Sequence, residues 1–252
     1  MTEEVRGGRY ARQIILAEVG AGGQEKLLGS SVLVVGAGGL GSPVLYYLAA
    51  AGVGRLGVAD PDMVTVPNLH RQILYATPDV GKAKVDVAAD RLRALNPDVT
   101  VVTHRFRVDD GNIEALVGGY DVVVDAPDNL ATRYLVNDAC WRARKPLVEA
   151  AVLGFSGMLM TIVPGKTPCY RCLYPNPPKE GAVPSSAEFG IMGMVPGIIG
   201  SLQALEAVKV LLGIGTTLCG RVLFFDGLDP GFEEMRLERN PKCPLCGRGD
   251  RP

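Results

Sequence analysis

Short apolar runs alternate with amphipathic segments along the first 150 residues of the chain. The apolar runs are typical of strands covered on both faces of a parallel sheet: SVLVVG, RLGVAD, VTVVTH, YDVVVDAPDN and KPLVEAAV. The segments between them carry apolar positions at helical spacing: LGSPVLYYLAAAG, GKAKVDVAADRLRAL and NLATRYLVNDACWRAR. Strands that alternate with helices predict a doubly wound, Rossmann-like α/β sheet. The roughly helical spacing of apolar positions in residues 9–28 predicts one or two short helices before the first strand of this sheet.

The pattern changes after Gly154. GMLMTIVPG predicts an antiparallel strand, Tyr174–Pro196 is rich in proline and glycine, and IIGSLQALEAVKVLLG predicts a helix. GRVLFFD and FEEMRLER then predict a hairpin. We therefore expect a mainly parallel sheet that antiparallel strands extend, in one domain over residues 1–252. Residues 1–30 would form N-terminal helices and residues 31–153 a nucleotide-binding half. Residues 154–252 would hold the sheet extension, a crossover loop and the C-terminal cysteines.

Composition excludes several classes of protein. Apolar residues make up 47% of the chain and charged residues 21%, which supports a large core and argues against disorder. The net charge of −1 gives no broad positive field for nucleic acid. The first residues lack the layout of a secretory signal, and the uncharged run Phe189–Leu205 is broken by four glycines and a proline. We expect a cytoplasmic protein that does not enter a membrane.

A glycine-rich turn follows the first predicted strand. GAGGLG fits the pattern G-x-G-x-x-G at Gly36, Gly38 and Gly41, with Gly39 between them. Such glycines allow a tight turn, close approach of a phosphate, and close packing of the helix on the strand. Asp60 ends the second strand and could hold ribose hydroxyls, with Asp62 as the alternative. These features predict a nucleotide site but leave NAD, FAD and ATP open.

Basic residues crowd the stretch after the second strand. Asn68, Arg71, Lys82 and Lys84 lie in VPNLHRQILYATPDVGKAK, at the same edge of the sheet. A triphosphate carries more charge than a dinucleotide, and its departing pyrophosphate needs cations. This stretch therefore favours ATP, although a solvated basic face at the start of a helix would have the same composition.

DAPDN ends the fourth strand and places Asp125 and Asp128 near the carboxyl edge, where ligands bind in open α/β sheets. A carboxylate that faces phosphates needs a cation between them, and magnesium is the usual one. The alternative is that Asp128 or Asn129 only caps the following helix.

Four of the six cysteines form two C-x-x-C pairs, Cys169 with Cys172 and Cys243 with Cys246. Two such pairs predict a structural, tetrahedral zinc site rather than a redox motif. Cys140 and Cys219 have apolar neighbours in the sequence, and we expect both to be inert thiols.

Together these motifs resemble the ThiF/MoeB/HesA family, bacterial relatives of ubiquitin-activating enzymes. The resemblance rests on motifs in order along nearly the whole chain: RYARQI, GAGGLGS, the Asp60 strand, NLHRQ, GKAK, DAPDN, both cysteine pairs and GSLQALEAVK. It implies ATP-dependent adenylation of the C-terminal glycine of a small ubiquitin-like sulfur carrier ending in Gly-Gly. Pyrophosphate is released, and the sulfur serves molybdopterin, thiamine, tRNA or cysteine synthesis. It also implies a homodimer, a separate sulfur donor, magnesium and structural zinc.

The resemblance also implies roles for single residues. Arg71 and Lys84 would bind phosphate, and Lys84, not Lys82, occupies the motif position. Asp128 would hold magnesium, Asp60 the ribose and Asn68 a further polar contact. Arg12 would reach the triphosphate of the partner subunit.

One departure concerns the crossover loop, where several relatives carry a cysteine that takes part in sulfur transfer. Here the loop has Ser185 and Ser186 instead, and a serine hydroxyl is too weakly acidic to replace a thiol unaided. We expect adenylation without a covalent carrier–enzyme intermediate at that loop. The alternatives are adenylation of another carboxylate or a tRNA base, an NAD-dependent oxidoreductase, and a zinc-stabilised scaffold that binds nucleotide without turning it over.

Overall fold

The computed structural model describes residues 8–179, 186–229 and 231–247 of the chain. Within them eight strands form one sheet in the order β3-β2-β1-β4-β5-β6-β7-β8. The first five in this order pair in parallel and the last four, from β5 onward, pair antiparallel. The expected parallel sheet with an antiparallel extension is thus confirmed. The strands are β1 Ser31–Val35, β2 Arg55–Ala59, β3 Thr100–His104, β4 Val122–Asp125, β5 Leu147–Leu153, β6 Ser156–Ile162, β7 Arg221–Asp226 and β8 Gly231–Arg236.

The helices connect these strands and cover the sheet. They are α1 Ala11–Ile14, α2 Gly20–Leu28, α3 Gly41–Ala51, α4 Lys84–Leu95, α5 Ile113–Gly118, α6 Leu130–Arg142, α7 Tyr170–Leu173, α8 Ser186–Phe189 and α9 Met194–Leu212. Every residue of β1 and β4 is buried, as their unbroken apolar sequences predict for central parallel strands. Two apolar clusters, one on each face of the sheet, form the core.

Local sequence explains where the helices nearest the glycine turn begin and end. α3 ends at Gly52, whose φ of 83° is left-handed and therefore suits glycine. α6 begins after Asn129, whose side-chain oxygen accepts the Thr132 N–H at 2.9 Å. The sequence thus sets the last residue of α3 and the first residue of α6.

The helix α9 crosses the core of the fold. It packs against α3 and against β4, β5 and β6, and it begins at Met194, four residues before the helix that the sequence predicts. By length and composition it could span a membrane, but half of it is buried inside the protein. Its apolar character follows from this packing, which is typical of a core helix in an α/β fold.

Besides α8, which falls in the predicted crossover loop, two further short helices are additional to those that the sequence predicts. α5 lies between β3 and β4 and has only six residues, too few to show a clear helical period. α7 covers four residues of the first cysteine pair. Both are short, and their formation depends on packing against α6.

Candidate functional site

A cavity of about 810 Å³ opens at the carboxyl ends of the parallel strands. The glycine turn, the residues after β2, the start of α4 and the segment after β4 line one part of it. The β5–β6 hairpin, the end of α7 and β7 line the other part. Ligands of open α/β sheets bind at this edge, so the cavity is the candidate site.

The four glycines of the turn contribute in different ways. Gly36 has a φ of 97°, and a Cβ there would lie 2.4 Å from the Ala126 carbonyl oxygen. A Cβ on Gly41 would lie 2.0 Å from the Gly36 carbonyl oxygen. A Cβ on Gly38 would meet nothing closer than 3.6 Å, and one on Gly39 nothing closer than 3.3 Å. Gly36 and Gly41 are thus needed by the fold and Gly39 is crowded by Pro196, whereas Gly38 makes only an ordinary contact and leaves the most room for a ligand.

No side chain caps the N-terminus of α3, which follows the glycine turn. The free N–H groups and the positive end of the helix dipole therefore remain available to an anion in the cavity. This is the arrangement that the glycine pattern predicts for phosphate.

Lys84 lies between two carboxylates at the cavity wall. Its Nζ is 2.9 Å from Asp62 Oδ2 and 3.9 Å from Asp60 Oδ2, and its side chain is only 5% exposed. Asp60 also accepts the Ala37 N–H of the glycine turn at 2.8 Å. Burial raises the pKa of Asp60, while the charge of Lys84 opposes that rise. The structure thus brings together Asp60, Asp62 and Lys84 beside the glycine turn, as the sequence predicts.

Arg71 lines the same cavity next to Gly39. Its Nη1 donates to the Pro67 carbonyl at 3.0 Å, and its Nη2 lies 3.4 Å from the Asn68 side-chain oxygen. Asn68 is not among the residues that line the cavity but contacts Arg71, and its contact with the nucleotide stays a prediction. Lys82 is separate from this group, because its side chain is exposed and its Nζ pairs with the buried Asp79.

Asp128 and Asn129 line the same cavity as Lys84. Asn129 caps α6, so the capping alternative holds for Asn129. Among the described residues, only the Asn129 amide approaches the Asp128 carboxylate, at 3.5 Å. Asp128 is exposed and therefore free to hold a cation, and a hard oxygen ligand suits magnesium.

Asp125 is the last residue of β4 and therefore lies at the carboxyl edge of the sheet, as predicted. It does not face the cavity but is fully buried below it, 3.6 Å from Arg133 Nη1. Side chains alternate between the two faces of a strand, and the last residue of β4 points to the face that α6 covers. The two acids of DAPDN thus have separate environments.

Arg12 lies in α1, which is exposed and is not part of the cavity wall. Tyr10, just before this helix, packs against Gly52 at the far end of α3 from the glycine turn. Arg12 therefore cannot reach the glycine turn of its own subunit without rearrangement. In the crossover loop, Ser185 lies outside the described residues and Ser186 begins the short helix α8.

The second part of the cavity was not predicted from the sequence. Its wall is mostly apolar and includes Val152, Met158, Tyr174, Ile191 and Phe224. Phe106 and Arg107, which follow β3, also line the cavity near Asp62. The sequence carries little signal for these residues, because an apolar wall and an apolar core have the same composition.

The two cysteine pairs meet as predicted. Their four sulfur atoms lie within 4.8 Å of one another, and all four cysteines are buried. The Asn240 N–H points at Cys172 Sγ and the Cys246 N–H at Cys243 Sγ, each at 3.5 Å, which suits thiolates. A tetrahedral zinc ion with four thiolates needs sulfur atoms about 3.8 Å apart. The cluster fits a structural zinc site that joins α7 to the C-terminal segment.

A sequence model of the ThiF family matches residues 10–245. The chain is 54% identical over 244 residues to the sulfur carrier protein adenylyltransferase of Thermus thermophilus, which covers 95% of this chain and 90% of that protein. It is 51% identical over 241 residues to the SAMP-activating enzyme E1 of Haloferax volcanii, covering 96% and 89%. A Zea mays protein, adenylyltransferase and sulfurtransferase MOCS3-1, is 48% identical over 95% of this chain but 51% of its own length.

Among solved structures, E. coli MccB with ATP superposes with a TM-score of 0.84 at 25% identity, covering 98% of this chain and 77% of that one. E. coli MccB with selenomethionine-labelled MccA gives a TM-score of 0.82 at 27% identity, covering 95% and 74%. The fold of this chain thus has counterparts among known structures.

Proposed function

The chain belongs to the ThiF family, and from this premise we propose that it is an ATP-dependent adenylyltransferase of a small ubiquitin-like sulfur carrier protein. The observation that carries the proposal is the shared cavity. Arg71, Lys84 and Asp128 surround the glycine turn in one part of it, and an apolar wall lines the other part. The first part suits a triphosphate, and the second suits an extended, uncharged tail such as one ending in Gly-Gly.

In the proposed reaction the terminal carboxylate of the carrier attacks the α-phosphorus of ATP. A phosphorus–oxygen bond forms to the carboxylate, the bond to the β-phosphate oxygen breaks, and pyrophosphate leaves with its electron pair. Both reactants are anions, so cations must offset their repulsion. Lys84 and Arg71 contribute fixed charge there, and Asp60 holds the ribose. Asp128 would hold magnesium, whose charge neutralises the phosphates.

The sulfur that consumes the acyl-adenylate comes from outside this chain. None of the six cysteines lines the cavity: four form the zinc cluster, Cys140 is buried, and Cys219 lies outside the cavity wall. A persulfide or sulfide donor therefore attacks the activated carboxyl carbon, and AMP leaves. This agrees with the serines of the crossover loop, and we place the reaction in the cytoplasm, where disulfides do not persist.

We further propose that two copies of the chain form the active unit. Met194, Ile198 and Leu205 lie along one face of α9 and are exposed, and Tyr47 on the neighbouring α3 is 59% exposed. Exposed apolar residues at such spacing suit a contact between helices of two subunits. Such a dimer would allow Arg12 of one subunit to approach the triphosphate of the other.

A second candidate is adenylation of the C-terminal carboxylate of a peptide by the same cavity, and the likeness to MccB with ATP and with MccA favours it over an oxidoreductase. The high identity to the Thermus thermophilus relative favours the carrier protein. The two candidates share the chemistry and differ only in the partner that enters the apolar part of the cavity.

Carrier-dependent exchange of labelled pyrophosphate into ATP tests the proposal. Lys84→Ala should lower the exchange rate at least about 100-fold, equivalent to ~2.7 kcal/mol of transition-state stabilisation. Lys82→Ala is the matched control, because Lys82 is two positions away but exposed and paired with the buried Asp79. Equal rates for the two variants, or exchange without any carrier or peptide, would contradict the proposal.

A further inference from the structure

Three ionisable side chains meet in the interior beneath the glycine turn. Asp125 pairs in register with Glu149 of β5, so the two carboxylates stand side by side on one face of the sheet. Arg133 reaches them from the first turns of α6, and its Nη1 donates to Glu149 and lies 3.6 Å from Asp125 Oδ2. Asp125 and Glu149 are fully buried, and Arg133 is 5% exposed.

The charges of this cluster do not balance if both acids are ionised, because two carboxylates face one guanidinium. The other titratable groups that face it are Cys140 and Tyr170, and burial raises the pKa of each, so both stay neutral. Burial and the charge of Glu149 also raise the pKa of Asp125 well above its ordinary range, although Arg133 opposes the rise. Asp125 is therefore the acid that retains its proton.

Unpaired polar atoms lead to the same conclusion independently. Within the described residues both carboxylate oxygens of Asp125 and Oε2 of Glu149 are buried without a hydrogen-bond partner. Buried oxygens that lack partners are costly and rare. A proton on Asp125 turns one of its oxygens into a donor, and Oε2 of Glu149 is the free acceptor beside it. One proton thus neutralises the cluster and satisfies two groups.

The cluster touches the backbone that carries Asp128. Arg133 Nη2 donates to the Pro127 carbonyl at 3.3 Å, one residue before Asp128. The preceding peptide of Ala126 packs so tightly against Gly36 that no Cβ fits between them. From the opposite face of the sheet, Gln203 Nε2 donates to the Asp125 carbonyl at 2.9 Å. The segment between β4 and Asp128 is therefore held from both sides.

We propose that Asp125, Glu149 and Arg133 form one neutral, proton-sharing unit that positions Asp128 against the glycine turn. Asp125 donates its proton to a hydrogen bond with Glu149, Glu149 carries the negative charge, and Arg133 neutralises it while holding the Pro127 carbonyl. All three act through Asp128 and are positioning residues. The inference rests on the proposed function only in taking Asp128 as the magnesium ligand.

Two substitutions separate the roles of the two acids. Glu149→Gln removes the carboxylate to which Arg133 donates directly, so Asp125 has to ionise and draw Arg133 towards itself from 3.6 Å. This shifts the guanidinium that holds the Pro127 carbonyl, and we expect the Mg²⁺ concentration for half-maximal ATP–pyrophosphate exchange to rise about 10- to 100-fold. Asp125→Asn keeps a neutral group with a hydrogen-bond donor, so its rise should be clearly smaller, about threefold to tenfold at most. A Mg²⁺ requirement unchanged in Glu149→Gln, or a larger effect of Asp125→Asn, would overturn the proposal.

The matched control is Glu114→Gln, which also removes the carboxylate partner of an arginine on α6. Glu114 and Arg142 pair at 2.7 Å but are both exposed, so the loss should leave the Mg²⁺ requirement and the melting temperature unchanged. A rise in this control equal to that of Glu149→Gln would mean that any broken ion pair on α6 disturbs the site, and would overturn the specific role of the buried unit.

Infrared spectroscopy tests the shared proton without catalysis. At neutral pH the wild-type protein should show the carbonyl stretch of a protonated carboxyl group, and Asp125→Asn should lack it. If Asp125→Asn instead keeps this carbonyl band and loses only the band of an ionised carboxylate, the proposal is overturned. Should Glu149→Gln fail to fold, this infrared comparison tests the proposal by itself. Wild-type protein that has the band but performs no exchange with any carrier or peptide would refute the proposed function while supporting the buried unit.

Discussion

Gly36 and Gly38 belong to the same turn but meet different constraints. Gly36 combines a left-handed φ with contact against the Ala126 carbonyl, whereas the space above Gly38 is open. The pattern G-x-G-x-x-G identifies both residues from the sequence, and the structure separates a glycine that the fold needs from one that a ligand needs.

Alanine substitutions should show this difference. Gly36→Ala should destabilise the protein by more than the ~1–2 kcal/mol that a left-handed alanine costs, because its Cβ also clashes with backbone. Gly38→Ala should fold with an almost unchanged melting temperature but bind ATP about tenfold more weakly, ~1.4 kcal/mol, because its Cβ occupies the space for phosphate. Thermal unfolding and ATP titration measure both. Normal ATP binding by Gly38→Ala would contradict the placement of the phosphates on this turn.

Single residues were predictable where a motif fixes their position along the backbone. Lys84 and Lys82 are two positions apart, and the motif points to Lys84, which is the buried one of the two. Its role towards phosphate stays a prediction. Arg133 and Glu149 were missed because their importance depends on a contact across 16 residues that no local pattern encodes. One signal was available: a glutamate inside the apolar strand KPLVEAAV must have a partner if the strand is covered on both faces.

At the scale of elements, the four-cysteine cluster is connected to the cavity through α7. Tyr170 lies between the first two cysteines, is buried, and lines the cavity together with Tyr174. The Tyr134 hydroxyl donates to the carbonyls of Tyr174 and Asn176, at 3.1 and 2.9 Å. The four-cysteine cluster therefore supports one wall of the apolar part of the cavity and not the part beside the glycine turn.

Removing the metal should weaken the protein and its carrier site together. Cys172→Ala should lose bound zinc and melt at a clearly lower temperature, since the binding free energy of a structural zinc contributes to folding. ATP affinity should fall much less than carrier affinity. Cys219→Ala is the control, and its zinc content by metal analysis should equal that of the wild type. Full zinc content in Cys172→Ala would contradict the four-cysteine site.

The elements themselves were predictable to different degrees. Central strands and long helices follow from hydrophobic period, and all of these that the sequence predicts are present. The short helices α5 and α7 depend on tertiary contacts, so periodicity does not reveal them. The apolar wall was not predictable either, because β6 and β7 have the same alternation whether they face a core or a cavity.

At the scale of the whole molecule, the distance of Arg12 from its own cavity has a testable consequence. A mixture of Arg12→Ala and Lys84→Ala subunits should recover activity that neither variant has alone. Each mixed dimer contains one site with an intact Lys84 and an intact partner Arg12. Random pairing therefore gives about a quarter of the wild-type number of sites. The two variants are mixed, unfolded and refolded together, and the recovered activity is measured by pyrophosphate exchange. If the mixture recovers no activity, Arg12 does not act on the site of the partner subunit.

The central claim is that a carboxylate of the partner attacks the α-phosphorus of ATP in this cavity. Transfer of ¹⁸O tests it most directly, with a carrier protein whose terminal glycine carboxylate carries the label. After sulfur transfer the label should appear in the phosphate of AMP, because the oxygen that attacked phosphorus leaves with it. Label in inorganic phosphate, with ADP as the other product, would mean attack at the γ-phosphorus. That result, or no transfer of label to either product, would contradict the claim.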